Sequence, residues 1–580
     1  MVSRRVGRVE QPIAPLRVAA KRTRSMGPFM SAPVNIAAAL VDCARERPNA
    51  EALNESEWIT VGYMVKSQTF RELDDDSDRL ARGLAKLGIA RGTRTVLMVP
   101  PSREFYALTF ALFKLGAVVV LIDPGMGVKN LGVCLDEAQP EAFIGVTKAH
   151  LARIVLGWGK KTIRHRVTVG MRLFWGGWSL GRVRKAGHKG DPVLTATTAD
   201  ETAAILFTSG STGIAKGAVY THGIFAAQVE YLRTLYGIEP GEVDLPTFPL
   251  FGLFAPALGM TAVIPIMDFT RPGRVDPRRI RDPIALDEVT NLFGSPALLR
   301  RVGFAKEIRA DDLKSLRRVL SAGAPVPVAV LRRWKTLLPP GVQVHTPYGA
   351  TEALPVATIG SDEILGETAA LTEQGRGVCV GKPVPGMEVR IIRISDEPIP
   401  IWSDDLLSTP GDIGEIVVRG PVVTRTYFNR PASTALHKIA DGKTIWHRMG
   451  DVGYLDEEGR LWFCGRKAHR VGSKFTIPCE GVFNAHPAVL RTALVGVPEP
   501  VLCVEIDPAI PRRQRPDRDA ASLKAFIEEL RAFGSKYDHT RDIATFLVHP
   551  AFPVDIRHNA KIFREKLAVW AARRLGRKCP

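Results

Sequence analysis

The stretch Ile205–Gly217, ILFTSGSTGIAKG, decides how the rest of the chain reads. An apolar run, Ala203 to Phe207, enters a loop of small and hydroxyl-bearing residues. The loop holds three glycines (Gly210, Gly213, Gly217), four hydroxyls (Thr208, Ser209, Ser211, Thr212) and one cation, Lys216. Glycine lets backbone N–H groups come close to an anion. Hydroxyls and a lysine add donors for phosphate oxygens. The chemistry reads as a strand followed by a phosphate cradle. It is not a Walker A loop, which needs GxxxxGK[ST]; here Lys216 is followed by Gly217. A Gly/Ser-rich loop alone is equally the composition of a plain surface loop, so the choice falls to the remaining sequence.

A chain of 580 residues exceeds one ordinary core, so two or more domains are expected. A hydrophobic fraction of 45% and a charged fraction of 24% are those of a soluble globular protein. The 7 cysteines are scattered without a CxxC pair, which points to reduced thiols in a cytoplasmic protein rather than to disulfides or zinc. The net charge of +19 is unevenly placed. Residues 1–30 carry seven Lys/Arg against the single Glu10, and 1–33 read as a basic disordered extension or an upstream start. The uncharged run Leu245–Met267 is long enough for a membrane helix, but Pro246, Pro249, Pro256 and Pro265 break it, so it is expected to be buried in a soluble fold.

Leu80, Leu84 and Leu87 recur at helical spacing and Gly88 ends that helix. Val96–Val99 is a strand, Glu104–Leu115 a helix closed by Gly116, and Val118–Ile122 a second strand, which makes a βαβ unit and a parallel sheet. The pattern returns at Val289–Phe293, Arg318–Leu320 and Val342–His345, with a helix at Val328–Leu338. Residues 153–190 differ, with ten Lys/Arg, no Asp or Glu, and Trp158, Phe174, Trp175 and Trp178. They read either as a solvated insertion whose aromatics pack on the domain, or as a surface for an anionic membrane or a partner protein. No nucleic-acid recognition motif is present, and no nucleic acid is expected. From about 377 the texture changes to short β segments, and after Arg466 to a mixed α/β tail. The fold class expected is α/β: a large N-terminal domain (34–465) of two βαβ-type subdomains plus a small β subdomain, then a smaller mobile α+β C-terminal domain (466–580).

Four further stretches carry chemistry. Tyr348-Gly349-Ala350-Thr351-Glu352 sets a hydroxyl beside a carboxylate at a strand end, which suits either a Mg²⁺–phosphate clamp or a capped turn. Ser321–Pro325, SAGAP, is a turn of small residues able to admit a flat base. Asp451, in GDVGY, is a carboxylate of the kind that accepts from ribose hydroxyls, and Arg466 offers a planar donor fork. Lys561, in HNAKI, precedes an amphipathic helix and by itself reads as a surface lysine.

In this order and spacing the motifs resemble the adenylate-forming superfamily of acyl-CoA synthetases, luciferases and peptide-synthetase adenylation domains, over roughly residues 34–570. That resemblance implies ATP and Mg²⁺. It implies that Thr208, Ser209, Ser211, Thr212 and Lys216, with Gly210 and Gly213, handle the β- and γ-phosphates. Gly323, Ala324 and Pro325 would form the adenine-side turn, with Tyr348 and Gly349 against the base. Thr351 and Glu352 would contact phosphate and metal, Asp451 the ribose, and Arg466 would sit beside the hinge. Lys561 would bridge the substrate carboxylate and the α-phosphate. Three departures stand out: Ala215 where proline is usual, Gly252 where a histidine usually faces the acyl carboxylate, and Ala468 where Asp or Lys is usual at the hinge. The hinge segment is also about two residues short. The hinge changes fall where a CoA ligase builds its thiolation site, and they count against CoA chemistry.

FPLFGLFAPALGMTAVIP, MDFTRPGRVDP, WHRMGDVGY, GRKAHRV and VDIRHNAKIFREKL together resemble one branch, the olefin β-lactone synthetases of bacterial long-chain olefin biosynthesis. The branch implies a long-chain 2-alkyl-3-hydroxyalkanoic acid, adenylated with loss of pyrophosphate and closed by its own 3-hydroxyl to a β-lactone. It also implies association with a β-lactone decarboxylase and an NADPH-dependent ketone reductase. Phe248, Phe251, Gly252 and Phe254 are the residues expected to meet the alkyl chains. A fatty acyl-CoA or acyl-AMP ligase, and an inactive acyl- or partner-binding protein, are the alternatives. A cytoplasmic chain with peripheral membrane contact through 153–190 is the expected location.

Overall fold

In the computed structural model the described residues are 34–59, 62–208, 215–554 and 562–577. Two large sheets and a smaller antiparallel one carry the cavity described below. The first has seven strands, in the order Trp178–Ser179, His165–Val169, Ala142–Val146, Arg94–Met98, Val118–Ile122, Thr202–Thr208 and Lys216–Thr221. All its pairs are parallel except the last, where Thr208 faces Lys216 across an antiparallel hairpin. The strands that flank the Gly/Ser stretch therefore pair as an antiparallel hairpin at the edge of a parallel sheet. The helices fit their sequences. Phe70–Leu87 begins with a Thr69/Glu72 capping box and ends at Gly88, whose φ of 100° is open to glycine at no steric cost. Arg103–Lys114 is capped by Ser102 and buried along most of its length.

The second sheet has nine strands. Its parallel centre runs Val344–Ala350, Arg318–Leu320, Asn291–Phe293, Val243–Pro246 and Thr261–Ile264. The uncharged run that is long enough to span a membrane is broken as its prolines require. It folds as a strand, two one-turn helices at Pro249–Gly252 and Phe254–Ala257, and another strand. Among the described residues no helix is long and apolar enough to cross a membrane. The antiparallel sheet is built from Glu388–Ile392, Gly414–Arg419, Thr444–Leu455, Leu461–Arg466 and Val378–Cys379. Beyond Arg466 a three-stranded sheet, Val489–Val497, Glu499–Ile506 and Thr545–Val548, packs with the helices Thr476–Asn484 and Arg564–Arg574. The architecture is thus mixed α/β with a large N-terminal part and a smaller C-terminal part.

The basic stretch 153–190 is woven into the first sheet rather than appended to it. His165–Val169 pairs in parallel with Ala142–Val146, and Trp178–Ser179 forms the edge. Its helix Leu180–Ala186 packs on Phe70–Leu87. Trp158 and Trp175 are buried, while Phe174 faces solvent.

Candidate functional site

One cavity of about 1990 Å³ collects most of the residues singled out above. Lys216, Gly323, Ala324, Pro325, Tyr348, Gly349, Thr351, Glu352, Asp451 and Arg466 line it, with Phe248, Phe251 and Phe254 at the apolar end. Ser209, Gly210, Ser211, Thr212, Gly213 and Lys561 lie outside the described residues, as does the side chain of Thr208.

Thr351 and Glu352 are the two turn residues between the antiparallel strands Val344–Ala350 and Ala353–Gly360. The turn is held on both sides. The Tyr220 hydroxyl donates to the Thr351 carbonyl at 2.5 Å, and the Thr424 amide donates to the Glu352 carbonyl at 2.8 Å. Gly349 is obligatory here, since a Cβ would overlap the Ala353 carbonyl oxygen. The Tyr427 hydroxyl donates to Glu352 Oε1 at 2.6 Å, and the Lys216 ammonium sits 5.2 Å from the Tyr427 ring centre. Tyr427 thereby brings together the two charges that the sequence motifs place 136 positions apart (352 minus 216).

Around this pair stand bases to which the sequence motifs assign no role. His437 Nε2 lies 3.4 Å from Lys216 Nζ, while Nδ1 is 2.9 Å from the Ser433 carbonyl. Nδ1–H donating to that carbonyl leaves Nε2 as an acceptor turned toward the ammonium. Burial, then the Lys216 charge, hold His437 down to about 4, so it is neutral near pH 7. His447 is buried beside it, with ring centres 6.5 Å apart, and burial keeps it well below the usual histidine range. Burial also lowers Lys438 to about 7 and pulls Lys216 below the usual lysine range. Their only sequence signals are isolated: His447 near the GDVGY carboxylate, and His437-Lys438 where the short helix Pro431–His437 ends.

Asp451 and Arg466 face each other across the strands Thr444–Leu455 and Leu461–Arg466. Arg466 Nη1 donates to Asp451 Oδ1 at 2.8 Å, and the Tyr348 hydroxyl donates to Oδ2 at 2.7 Å. Asp451 in turn holds the Arg466 guanidinium above its usual range. The carboxylate expected at a ribose thus also orients the aromatic ring expected at a base. Gly323 turns the chain after Arg318–Leu320 with a φ of 95°. Next to it Ser321 Oγ is buried in the cavity wall without a hydrogen-bond partner among the described residues.

At the apolar end Phe251 stacks on Phe293 with ring centres 4.0 Å apart, and Phe248 lies 5.6 Å from Phe251. Gly252 corrects an expectation. It is buried behind this wall rather than lining the cavity, and a Cβ there would overlap the Tyr106 hydroxyl oxygen and crowd Pro246. A side chain at 252 has no room because Tyr106, itself 2% exposed, occupies the space. Gly252→Ala is therefore expected to cost about 1–3 kcal/mol of stability by overpacking. Tyr106→Phe in the same chain should recover a large part of that loss, and denaturant unfolding of the two single variants and the double variant measures the coupling.

Under the same wall Asp244 is fully buried and hydrogen-bonded by the Asn291 amide. Burial pushes its carboxyl up to about 7 from an ordinary 3.8. Between those values the folded chain holds a proton that the unfolded chain has released. Stability should therefore fall as pH rises through this window, by on the order of 4 kcal/mol in total. Asp244→Asn should remove that slope, as read from unfolding midpoints between pH 4 and 8.

No group of three or more His, Cys, Asp or Glu that could hold a metal ion occurs among the described residues. Mg²⁺ does not require one, because it is typically held by one or two carboxylates together with substrate phosphates and waters. Glu352 beside Thr351, both hard oxygen donors on the cavity wall, fits that mode.

The cavity is lined by Lys216, by the paired Asp451 and Arg466, by Thr351 and Glu352, and by an apolar wall of phenylalanines. Residues 40–428 match the AMP-binding enzyme family, and the chain belongs to it. It is 52% identical to the olefin beta-lactone synthetase of Stenotrophomonas maltophilia (strain K279a), over 95% of this chain and 100% of that protein. It is also 52% identical to the olefin beta-lactone synthetase of Xanthomonas campestris pv. campestris, over 93% and 97%. A crystal structure of the anthranilate CoA ligase AuaEII in complex with anthranoyl-AMP shares the fold, with a TM-score of 0.74 at 19% identity, covering 96% of this chain and 100% of that one.

Proposed function

We propose that this enzyme adenylates a long-chain 2-alkyl-3-hydroxyalkanoic acid with ATP and then closes it to a β-lactone, releasing pyrophosphate and AMP. The observation that carries this reading is the 52% identity to olefin beta-lactone synthetases along nearly the whole chain. The cavity supports it. Its volume of about 1990 Å³ is well above the ordinary ~300–1,000 Å³ of a small-molecule site, leaving space for a nucleotide and two alkyl chains.

In the first step a carboxylate oxygen of the acid attacks the α-phosphorus and the bond to pyrophosphate breaks. Lys216, oriented by His437 and Tyr427, holds the β- and γ-phosphates together with the hairpin hydroxyls. Asp451 accepts from the ribose hydroxyls and keeps Tyr348 against the base. Glu352 and Thr351 would hold Mg²⁺, which supplies positive charge against the phosphate oxygens when bound. Lys561 offsets the charge that builds as the carboxylate meets phosphorus. In the second step the 3-hydroxyl oxygen bonds to the acyl carbon, the acyl–phosphate oxygen bond breaks, and AMP leaves as the hydroxyl loses its proton. The nucleophile is already tethered, and such placement reaches effective molarities of up to ~10⁵–10⁸ M, less the strain of the small ring. Phe248, Phe251 and Phe254 wall the alkyl chains and exclude water from the adenylate. Residues 466–580 act as the lid that brings Lys561 to the site. A β-lactone decarboxylase and an NADPH-dependent reductase complete the set of partners, and co-elution on sizing columns tests their assembly.

A pair of substrates tests the reading. With the 3-hydroxy acid, AMP and pyrophosphate should appear together and turn over. With the same acid lacking the 3-hydroxyl, pyrophosphate should stop at one equivalent per enzyme as the adenylate accumulates. Equal turnover of both acids without CoA would show simple adenylate hydrolysis and sink the proposal.

A further inference from the structure

Exposed apolar side chains are not spread evenly over this protein. Of the fourteen large hydrophobic residues exposed among those described, seven lie between Leu151 and Phe174. Concentration of this kind, unlike single exposed residues, marks a contact surface. The helix Thr147–Val155 turns Lys148, Leu151, Ile154 and Val155 to solvent from one face, and Val155 is 74% exposed.

The loop after the strand His165–Val169 returns onto this helix. Thr147 Oγ1 donates to the Met171 carbonyl at 2.7 Å. The Trp175 ring stacks on His150 with centres 5.3 Å apart, and its Nε1 donates to Thr168 Oγ1 at 3.0 Å. With its tryptophan buried, the loop presents Met171, Leu173 and Phe174 outward, Met171 and Phe174 being 69% and 77% exposed. Two neighbouring elements thus share one uncovered apolar face.

The charges carried by residues 147–175, the helix and loop that form the face, are of one sign. Lys148, Lys160, Lys161 and Arg172 are exposed and form no ion pair with a described residue. The stretch 153–190 contributes no Asp or Glu to balance them. A second copy docked on this face about a two-fold axis would set these cations against themselves. A bilayer bearing anionic headgroups meets both features at once: the apolar side chains enter the acyl boundary and the lysines neutralise phosphates. We infer that this face seats the protein on the surface of an anionic phospholipid bilayer. The inference does not depend on which acid the enzyme adenylates.

Flotation of the full chain with vesicles of phosphatidylcholine and phosphatidylglycerol, against phosphatidylcholine alone, tests this. Binding should favour the anionic vesicles and weaken with salt. Met171→Ser with Phe174→Ser, and separately Lys160→Glu with Lys161→Glu, should each lower partitioning at least ~tenfold, because both the apolar and the charged component are needed. Thermal melting should be unchanged, since all four positions are exposed. The inference is overturned if the parent chain fails to float, or if the variants float as well as the parent, which would move binding elsewhere, for example to the basic residues 1–30. It is also overturned if Phe174→Ser converts a dimer to a monomer on sizing.

Discussion

Glu352→Gln is expected to lower adenylate formation by about 10²–10³-fold, the scale of losing one preorganised charge contact in an active site. The substitution isolates charge from shape. The amide oxygen still accepts from the Tyr427 hydroxyl, now 2.6 Å from Oε1, and the turn stays pinned through its own backbone by Tyr220 and Thr424. What disappears is the hard anionic oxygen fit for Mg²⁺ and the attraction that sustains the half-buried Lys216 ammonium. Pyrophosphate release measured across a Mg²⁺ titration should show a lower kcat and a higher Mg²⁺ requirement. An unchanged rate at every Mg²⁺ concentration would remove Glu352 from the machinery.

Lys561→Ala should cost a similar ~10²–10³-fold in ATP–pyrophosphate exchange while leaving the unfolding midpoint in place. A short distance along the chain, Arg564 is fixed by the buried Glu480, with Nη2 to Oε2 at 2.9 Å. That anchor belongs to the part of the chain beyond Arg466 and lies three positions after Lys561. With the role proposed for this lysine, acting on charge that develops at phosphorus, the exchange reaction should suffer and nucleotide affinity should change little. Parent-level exchange in the alanine variant would contradict the role. Equal loss in exchange and in stability would make Lys561 structural.

Much of this architecture is legible in the amino-acid sequence. Val118–Ile122 is a strand at the residues where its β-branched run predicts one, and Gly116 closes the preceding helix with a φ of 67°. Short apolar runs bounded by glycine leave little choice once they alternate with amphipathic helices. Several of the stretches singled out are placed where local sequence sets geometry: Gly323 follows a strand, Thr351 and Glu352 form the turn between two, and Arg466 ends another. Residues whose role is set by packing from distant segments are not. Tyr427, His437 and His447 gain their meaning only when the segment 427–447 folds over Lys216 and Glu352. Gly252 reads in sequence as one of the residues that meet the alkyl chains, whereas Tyr106, from a helix far away in the chain, fills the space beside it. The basic stretch 153–190 reads as an insertion because its charge masks two short strands, the outermost two of the sheet, that satisfy their backbone by joining it.

The most direct measurement is the mass of the product formed from a long-chain 2-alkyl-3-hydroxy acid with ATP and Mg²⁺, first without CoA and then with it. The expected product in both cases is the acid less one water, with the carbonyl signature of a four-membered lactone by NMR and AMP in equal amount. A thioester that appears only when CoA is added, with no lactone in its absence, would contradict β-lactone formation and make this chain an acyl-CoA ligase.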